Sequence, residues 1–139
     1  MKLKHVLELR KSIFVIARTD AVEWNEGLER AVCYADAGAD GVMVEAVKDL
    51  RIVEDLSSKV KVPVMVNQLL GGKSPNWTLD QLQNAGVSIV IYSTPCLFAA
   101  QYAMEHYLDE MKMIGKLPAG GSVKMEQCTK LLMNHFGIF

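Results

Sequence analysis

Polar side chains follow four short apolar segments of this sequence. The segments and the residues that end them are Ile13 to Ala17 with Arg18, Gly41 to Val44 with Glu45, Val62 to Val66 with Asn67, and Val87 to Ile91 with Tyr92 and Ser93. A guanidinium can hold a carboxylate or phosphate through two parallel hydrogen bonds, and an amide can donate to a ligand oxygen. Burying such groups without partners costs about 2 to 7 kcal/mol. These residue types therefore predict a shared site for a small anionic molecule.

The four apolar segments predict buried parallel β-strands. Each is rich in β-branched residues and too short for a helix. A sheet with one wet face would alternate apolar and polar residues, whereas these runs indicate strands covered on both sides. Because the carboxyl ends of parallel strands meet at one edge of the sheet, we expect Arg18, Glu45 and Asn67 to project into a common pocket.

Amphipathic segments separate the strands and predict the crossover helices. They comprise Leu28 to Ala35 ending near Gly38, Ile52 to Val60, the capping box at Thr78 to Gln81 ending at Gly86, Leu97 to Ile114, and Val123 to Phe136. The result is an α/β fold of four βα units plus a C-terminal helix. A complete eight-stranded barrel needs about 250 residues. We expect residues 1–139 to form one partial barrel domain, although a small doubly wound sheet has the same pattern. In such a free-standing sheet the first and last strands would be exposed edges.

Each polar residue also has a purely structural interpretation. Arg18 could form a local ion pair with Asp20, and Glu45 could pair with Arg18 or Lys48. Asn67 could be a turn residue held by its own backbone contacts. Both interpretations of each residue stay open at this stage.

A glycine-rich loop follows the third strand. Gly71, Gly72, Lys73, Ser74 and Pro75 invite comparison with a phosphate-binding loop, but the spacing of that motif is absent. We expect a flexible loop or lid beside the strand ends.

Composition excludes several classes of protein. The 139 residues include 15 basic and 16 acidic groups, for a formal net charge of -1, so no basic surface for nucleic acid or an anionic membrane is indicated. The three cysteines, Cys33, Cys96 and Cys128, are widely spaced and predict neither a disulfide framework nor a metal site. No apolar run has the length of a signal peptide core or a membrane span. We therefore expect a cytoplasmic protein without nucleic-acid or membrane partners.

Four blocks of sequence, taken in order, resemble the isocitrate lyase and phosphoenolpyruvate mutase superfamily. They are Ile16-Ala17-Arg18-Thr19-Asp20-Ala21 with the A-x-A-G-A-D pattern of Ala35 to Asp40, Gly41-Val42-Met43-Val44-Glu45-Ala46, Val64-Met65-Val66-Asn67, and Gly71-Gly72-Lys73-Ser74-Pro75. Single blocks would be weak, but their order makes the resemblance specific.

The resemblance implies the C-terminal half of a (β/α)8 barrel. It further implies a last helix, within residues 118–139, that is exchanged between subunits, and Mg-dependent chemistry on small 2-oxo or 2-hydroxy acids, as in methylisocitrate lyase or oxaloacetate hydrolase. By position, Arg18 would clamp a substrate carboxylate or phosphonate and Asn67 would donate to a substrate oxygen. Glu45 would hold the water shell of the metal or Arg18. The loop residues Gly71, Gly72, Ser74 and Pro75 would border the site.

The sequence also departs from the family pattern. It has neither the metal-binding aspartates of the early strands nor the K-[KR]-C-G-H loop whose Cys serves as general acid or base, and Leu70 replaces a Glu common in the loop. We therefore expect no direct metal ligand here and no activity of the chain alone. The expected partners are a small anionic carboxylate and either a second copy or a complementary half-barrel. Two alternatives stay open, namely a non-catalytic half-barrel that self-associates and a fragment of a phosphonate or phosphoenolpyruvate mutase.

Overall fold

The computed structural model describes residues 2–136, which form two compact units, one ending at Pro95 and one beginning at Cys96. In chain order the elements are α1 Lys2–Leu9, β1 Ile16–Thr19, α2 Trp24–Asp36, β2 Gly41–Val44, α3 Leu50–Lys59, β3 Val64–Gln68, α4 Leu79–Asn84, β4 Val87–Tyr92, α5 Pro95–Ile114 and α6 Met125–Phe136. Helices and strands alternate from β1 to α5, as the sequence predicts for βα units.

The four strands form one parallel sheet in the order β1-β2-β3-β4. This topology confirms the predicted half of a (β/α)8 barrel. The bounds of β2 are as predicted, whereas β1 begins at Ile16, three residues after the expected start. Pairing with β2 starts at Ile16 opposite Gly41, and the preceding Ile13 and Phe14 are exposed. Because β1 continues to Thr19, Arg18 lies within the strand, and pairing with β2 determines the side of the sheet to which its side chain points.

The core of the first unit lies between the sheet and its helices. Val42, Val44, Val64 and Val66 point to this side, because β-strand side chains alternate between faces. The helix residues that pack with them are Ala31 of α2, Val53 and Leu56 of α3, and Leu82 of α4. Each of these eight side chains is buried, which makes this layer the main source of hydrophobic stabilisation in the unit.

The capping box that the sequence predicts is present at the start of α4. The Thr78 hydroxyl accepts a hydrogen bond from the Gln81 backbone N–H at 3.2 Å, and the Gln81 side-chain oxygen accepts one from the Thr78 N–H at 2.9 Å. After the helix, Gly86 adopts a φ of 83°, which favours glycine. The chain thus turns sharply into β4.

Two strands lack a second neighbour within the described part of the chain. β1 pairs only with β2, and β4 pairs only with β3. On β4, Ile91 and Tyr92 are 41% and 51% exposed. Among the described strands, β1 and β4 are therefore the two edges of the sheet.

The second unit consists mainly of α5 and α6. None of the described α5 residues is buried, and several large apolar side chains on both helices are exposed, including Leu97, Phe98, Tyr102, Leu108, Leu131 and Leu132. Exchange of the segment 118–139 between subunits stays a prediction, and its last three residues lie outside the described ones. No helix described here is both long and apolar enough to cross a membrane.

Candidate functional site

Arg18, Glu45 and Asn67 project from the same face of the sheet. Arg18 is the register partner of Met43, and Met43 is the partner of Met65. Side chains two residues apart on a strand point to the same side, so Asn67 shares the face of Met65. Glu45 follows the end of β2, contacts Arg18 at 3.1 Å and lines one cavity with Asn67. This face is opposite to the valines that pack against the helices. The three polar groups therefore lie at the carboxyl ends of neighbouring strands, on the side that faces the interior of a barrel.

A cavity of about 240 Å³ lies at this edge of the sheet. Its lining consists of Glu45, Ala46, Asn67, Leu69, Gly72, Lys73 and Ser74. Glu45 and Asn67 thus meet in one cavity, together with part of the glycine-rich loop. Gly71 and Pro75 belong to the same loop but do not line the cavity, and Arg18 lines a neighbouring depression with Lys2, Leu3, Ala17 and Tyr34.

Two carboxylates contact the Arg18 guanidinium. Its Nε donates a hydrogen bond of 2.7 Å to Asp20 Oδ1, and its Nη1 lies 3.1 Å from Glu45 Oε2. The hydrogen bond to Asp20 raises the pKa of Arg18 above its ordinary value, and the charges of Glu45 and Asp20 add to this effect. The local ion pair and the Glu45 pair considered from the sequence are thus both present. Arg18 reaches the cavity through Glu45 rather than by lining it.

Glu45 is the most constrained acidic group of this edge. Its Oε2 atom is buried and, although it lies 3.1 Å from Arg18 Nη1, it receives no hydrogen bond from the described residues. A buried carboxylate oxygen normally needs a donor or a cation. Glu45 therefore keeps unused capacity to accept a hydrogen bond at the cavity wall.

The amide of Asn67 is oriented by the neighbouring strand end. Ser93 Oγ donates a hydrogen bond of 2.6 Å to Asn67 Oδ1, and no described residue accepts one from Asn67 Nδ2. With its oxygen engaged, the amide presents N–H donors to a ligand in the cavity. This geometry leaves the N–H donors of Asn67 available to a ligand that offers oxygen acceptors.

Backbone in the left-handed region follows the ends of β2 and β4. Ala46, next to Glu45, has a φ of 58°, and Thr94, next to Ser93, has a φ of 60°. For residues other than glycine this conformation costs about 1–2 kcal/mol, and such strain concentrates at functional sites. Both positions adjoin side chains of the candidate site.

The glycine-rich loop is tied to the sheet by Gln68. This buried side chain donates from Nε2 to the Trp77 carbonyl at 2.6 Å and accepts from the Trp77 N–H at 3.0 Å. The two bonds close the loop between β3 and α4 into a fixed arc. Within it, the Gly72 N–H donates to the Leu69 carbonyl at 2.9 Å.

Comparison with known proteins identifies the family of the chain. Residues 2–112 match the family described as phosphoenolpyruvate phosphomutase. The chain belongs to the phosphoenolpyruvate mutase and isocitrate lyase superfamily. This result confirms the resemblance found in the sequence. Arg18, Glu45 and Asn67 lie at the edge of the sheet that carries the βα loops.

Two relatives and one solved structure illustrate the similarity. The chain is 35% identical over 123 residues to 2-methylisocitrate lyase of Halalkalibacterium halodurans. This alignment covers 86% of this chain and 41% of the relative. It is 37% identical over 105 residues to 2-methylisocitrate lyase of Aeropyrum pernix, and this alignment covers 73% of this chain and 34% of the relative. A structure of oxaloacetate acetylhydrolase with the inhibitor 3,3-difluorooxalacetate superimposes with a TM-score of 0.85 at 21% identity, over 98% of this chain and 48% of that chain. The chain therefore spans less than half the length of these superfamily members.

The described residues do not by themselves fit the Mg²⁺ that the superfamily implies. Across residues 2–136, no three His, Cys, Asp or Glu side chains come together as a metal-binding group. Mg²⁺ prefers several oxygen ligands in octahedral geometry. Among residues 2–136, Glu45 Oε2 is a buried carboxylate oxygen without a hydrogen-bond donor, but it already lies 3.1 Å from Arg18 Nη1, and one such atom does not make a magnesium site.

Two residues of this edge, Gln68 and Lys73, were not predicted from the sequence as parts of the site, whereas Ser93 was among the polar strand-end residues named there. Lys73 lines the cavity, Ser93 orients Asn67, and Gln68 holds the loop. Gln68 left a signal that could have been used, because a Gln at the end of an otherwise apolar strand must find hydrogen-bond partners when it is buried. Lys73 left no comparable signal, since lysine is common in exposed loops.

Proposed function

We propose that this chain supplies part of the active site of a lyase that cleaves a carbon–carbon bond in small 2-oxo or 2-hydroxy carboxylic acids. The observation that carries the proposal is that one cavity at the strand ends combines Glu45, Asn67 and Lys73. The similarity to 2-methylisocitrate lyases supports this class of substrate.

The chemistry of the proposed reaction suits these groups. When the carbon–carbon bond of a 2-hydroxy acid breaks, the hydroxyl gives its proton to a base and becomes the carbonyl of the 2-oxo product. The electron pair of the broken bond passes to the other fragment, where negative charge develops on the oxygen of an enolate-like carboxylate until the carbon is protonated. Donors that are already oriented toward such an oxygen supply a large share of catalysis. Asn67 Nδ2 would donate to this oxygen, and Arg18 would clamp a substrate carboxylate in exchange for Asp20.

We propose that Mg²⁺ is bound only in the complete enzyme. Mg²⁺ would polarise substrate oxygens and stabilise the enolate charge. Glu45 would accept hydrogen bonds from its water shell, and direct protein ligands would come from outside residues 2–136. We also propose a cytoplasmic location, which is supported by three cysteines that all remain free thiols in the structure.

The proposal is tested by separating binding from turnover. The purified 139-residue chain, given Mg²⁺ and either oxaloacetate or methylisocitrate, should show no turnover, because the metal ligands and the acid–base loop of the family are missing from it. Calorimetric titration with oxalate, a minimal dicarboxylate, should still detect binding. Robust turnover by the chain alone would refute the claim that it holds only part of the site. No oxalate binding up to about 10 mM would refute the claim of a carboxylate site.

A mutase is the alternative within the same superfamily. The family match carries the description phosphoenolpyruvate phosphomutase, and a guanidinium binds a phosphonate as readily as a carboxylate. Titration with methylphosphonate beside oxalate separates the two substrate classes. Tighter binding of the phosphonate would favour the mutase.

A second candidate function is that of a self-associating half-barrel. The observation that favours it is the pair of unpaired strand edges at β1 and β4, which two copies could cover in one eight-stranded assembly. Sedimentation of the purified chain tests this candidate, with a dimer expected. A folded monomer at micromolar concentration would exclude it.

A further inference from the structure

Lys73 is the basic residue among those that line the cavity between β2 and β3. No described group forms a hydrogen bond or ion pair with its ammonium, and the side chain is exposed. An ammonium at the mouth of a cavity, with three free donors, can bind an anion without first giving up another partner.

Arg18 does not have that freedom. Its guanidinium is held by Asp20 at 2.7 Å and by Glu45 at 3.1 Å, and these three side chains together carry one net negative charge. A substrate carboxylate that approached Arg18 alone would be repelled by this excess charge and would have to displace a hydrogen-bonded carboxylate. Some other cation must therefore offset the charge when an anion first enters.

The fold fixes where Lys73 stands. The Gln68 side chain bonds both backbone groups of Trp77 and thereby closes the loop that carries Lys73. The turn before Lys73 is tight, because a Cβ at Gly72 would lie 3.0 Å from the Leu69 carbonyl oxygen. The backbone of the loop is thus positioned by the protein, and only the flexible lysine side chain has to move to meet a ligand.

We propose that Lys73 binds the anionic head group of the substrate, a carboxylate or a phosphonate, in the cavity lined by Glu45 and Asn67. Lys73 supplies the uncompensated positive charge of the site, while Arg18 holds Glu45 in place until the substrate is bound. This inference deepens the proposed function and rests on it.

Calorimetric titration of the full chain with oxalate and, separately, with methylphosphonate tests this assignment. Lys73→Gln should weaken binding of whichever anion the wild-type chain prefers by about tenfold or more and should flatten the dependence of affinity on salt concentration. Lys73→Arg should retain most of the affinity. Lys48→Gln is the matched control, since Lys48 is an exposed loop lysine after β2 that does not line the cavity, and it should bind as the wild type does.

The possible outcomes separate the two proposals. If the wild-type chain binds an anion and Lys73→Gln binds it equally well, the role of Lys73 is refuted and the proposed function stands. If Lys73→Gln and Lys48→Gln weaken binding equally, the effect is one of net charge and the assignment is also refuted. If the wild-type chain binds neither anion, the proposed function fails and the role of Lys73 fails with it. A thermal unfolding midpoint within about 2 °C of the wild type would show that each variant is folded.

Discussion

The hydroxyl of Ser93 holds the amide of Asn67 through a hydrogen bond of 2.6 Å that connects the ends of β4 and β3. The bond uses the oxygen of the amide and leaves its N–H donors for the cavity. Orientation of a binding group by a neighbour on a different strand fixes its geometry without blocking its function.

Removal of this hydroxyl should affect binding more than stability. Ser93→Ala frees the Asn67 amide to rotate, so a fraction of the molecules presents oxygen to an anionic ligand, and oxalate affinity should fall about threefold to tenfold. Ser88→Ala, within β4 at an exposed position without a side-chain hydrogen bond, should leave the affinity unchanged. Equal affinity in both variants would show that Ser93 does not position Asn67.

The clamp between Gln68 and Trp77 should determine the stability of the loop. Gln68→Ala leaves the Trp77 N–H and carbonyl without their partners, which should lower the free energy of unfolding by about 1–3 kcal/mol. Amide hydrogen exchange of residues 71–75 should accelerate at the same time. Gln83→Ala, at an exposed position on α4, should change the free energy by less than about 0.5 kcal/mol. Unchanged exchange in Gln68→Ala would contradict the role of the clamp.

Release of Arg18 from Asp20 should strengthen anion binding. Asp20→Asn removes the charge that holds Arg18 Nε at 2.7 Å, and the freed guanidinium can then face a ligand, so oxalate affinity should rise severalfold. Asp36→Asn makes the same change in net charge at an exposed position near the end of α2, with no side-chain partner among the described residues. If both variants bind equally tightly, the gain comes from net charge and not from Arg18.

Two glycines in the left-handed region should differ sharply in their tolerance of a methyl group. At Gly86 a Cβ would lie 2.5 Å from Ser57 Oγ, which donates to the Ala85 carbonyl at 2.9 Å, whereas at Gly38 no atom lies within 4 Å of such a Cβ. Gly38→Ala should lower the free energy of unfolding by about 1 kcal/mol through backbone strain alone. Gly86→Ala should lower it by about 2–4 kcal/mol, because the new methyl group also clashes with the Ser57 hydroxyl. Chemical denaturation measures both. Equal costs would mean that the contact with Ser57 carries no energy.

The sequence predicts the architecture well because buried strands and helix starts each require a characteristic local pattern of residues. The β-branched runs around Val42, Val64 and Val87 follow from strands that pack against the helices, and the capping box at Thr78 follows from the unmet N–H groups of a helix start. The start of β1 was placed too early, because Ile13 is as apolar as the strand residues but lies before the first partner on β2.

The candidate site is less visible in the sequence because its geometry depends on distant partners. Arg18, Glu45 and Asn67 were identified from their positions at strand ends, and the structure brings Glu45 and Asn67 to one cavity. That Arg18 would be held by two carboxylates at once depends on side-chain geometry that no periodicity records. The place of Lys73 depends on a loop closed by a hydrogen-bonded pair nine residues apart, Gln68 and Trp77.

The most direct test of the central claim is a map of backbone amide chemical shifts during titration of the ¹⁵N-labelled chain with oxalate. If the cavity at the strand ends binds oxalate, the amides of Glu45, Asn67, Gly72 and Lys73 should show saturable shifts. The amides at the amino-terminal ends of β2 and β3 should change little. Shifts that do not saturate, or that cluster away from the strand ends, would contradict the assignment of this edge as an anion site.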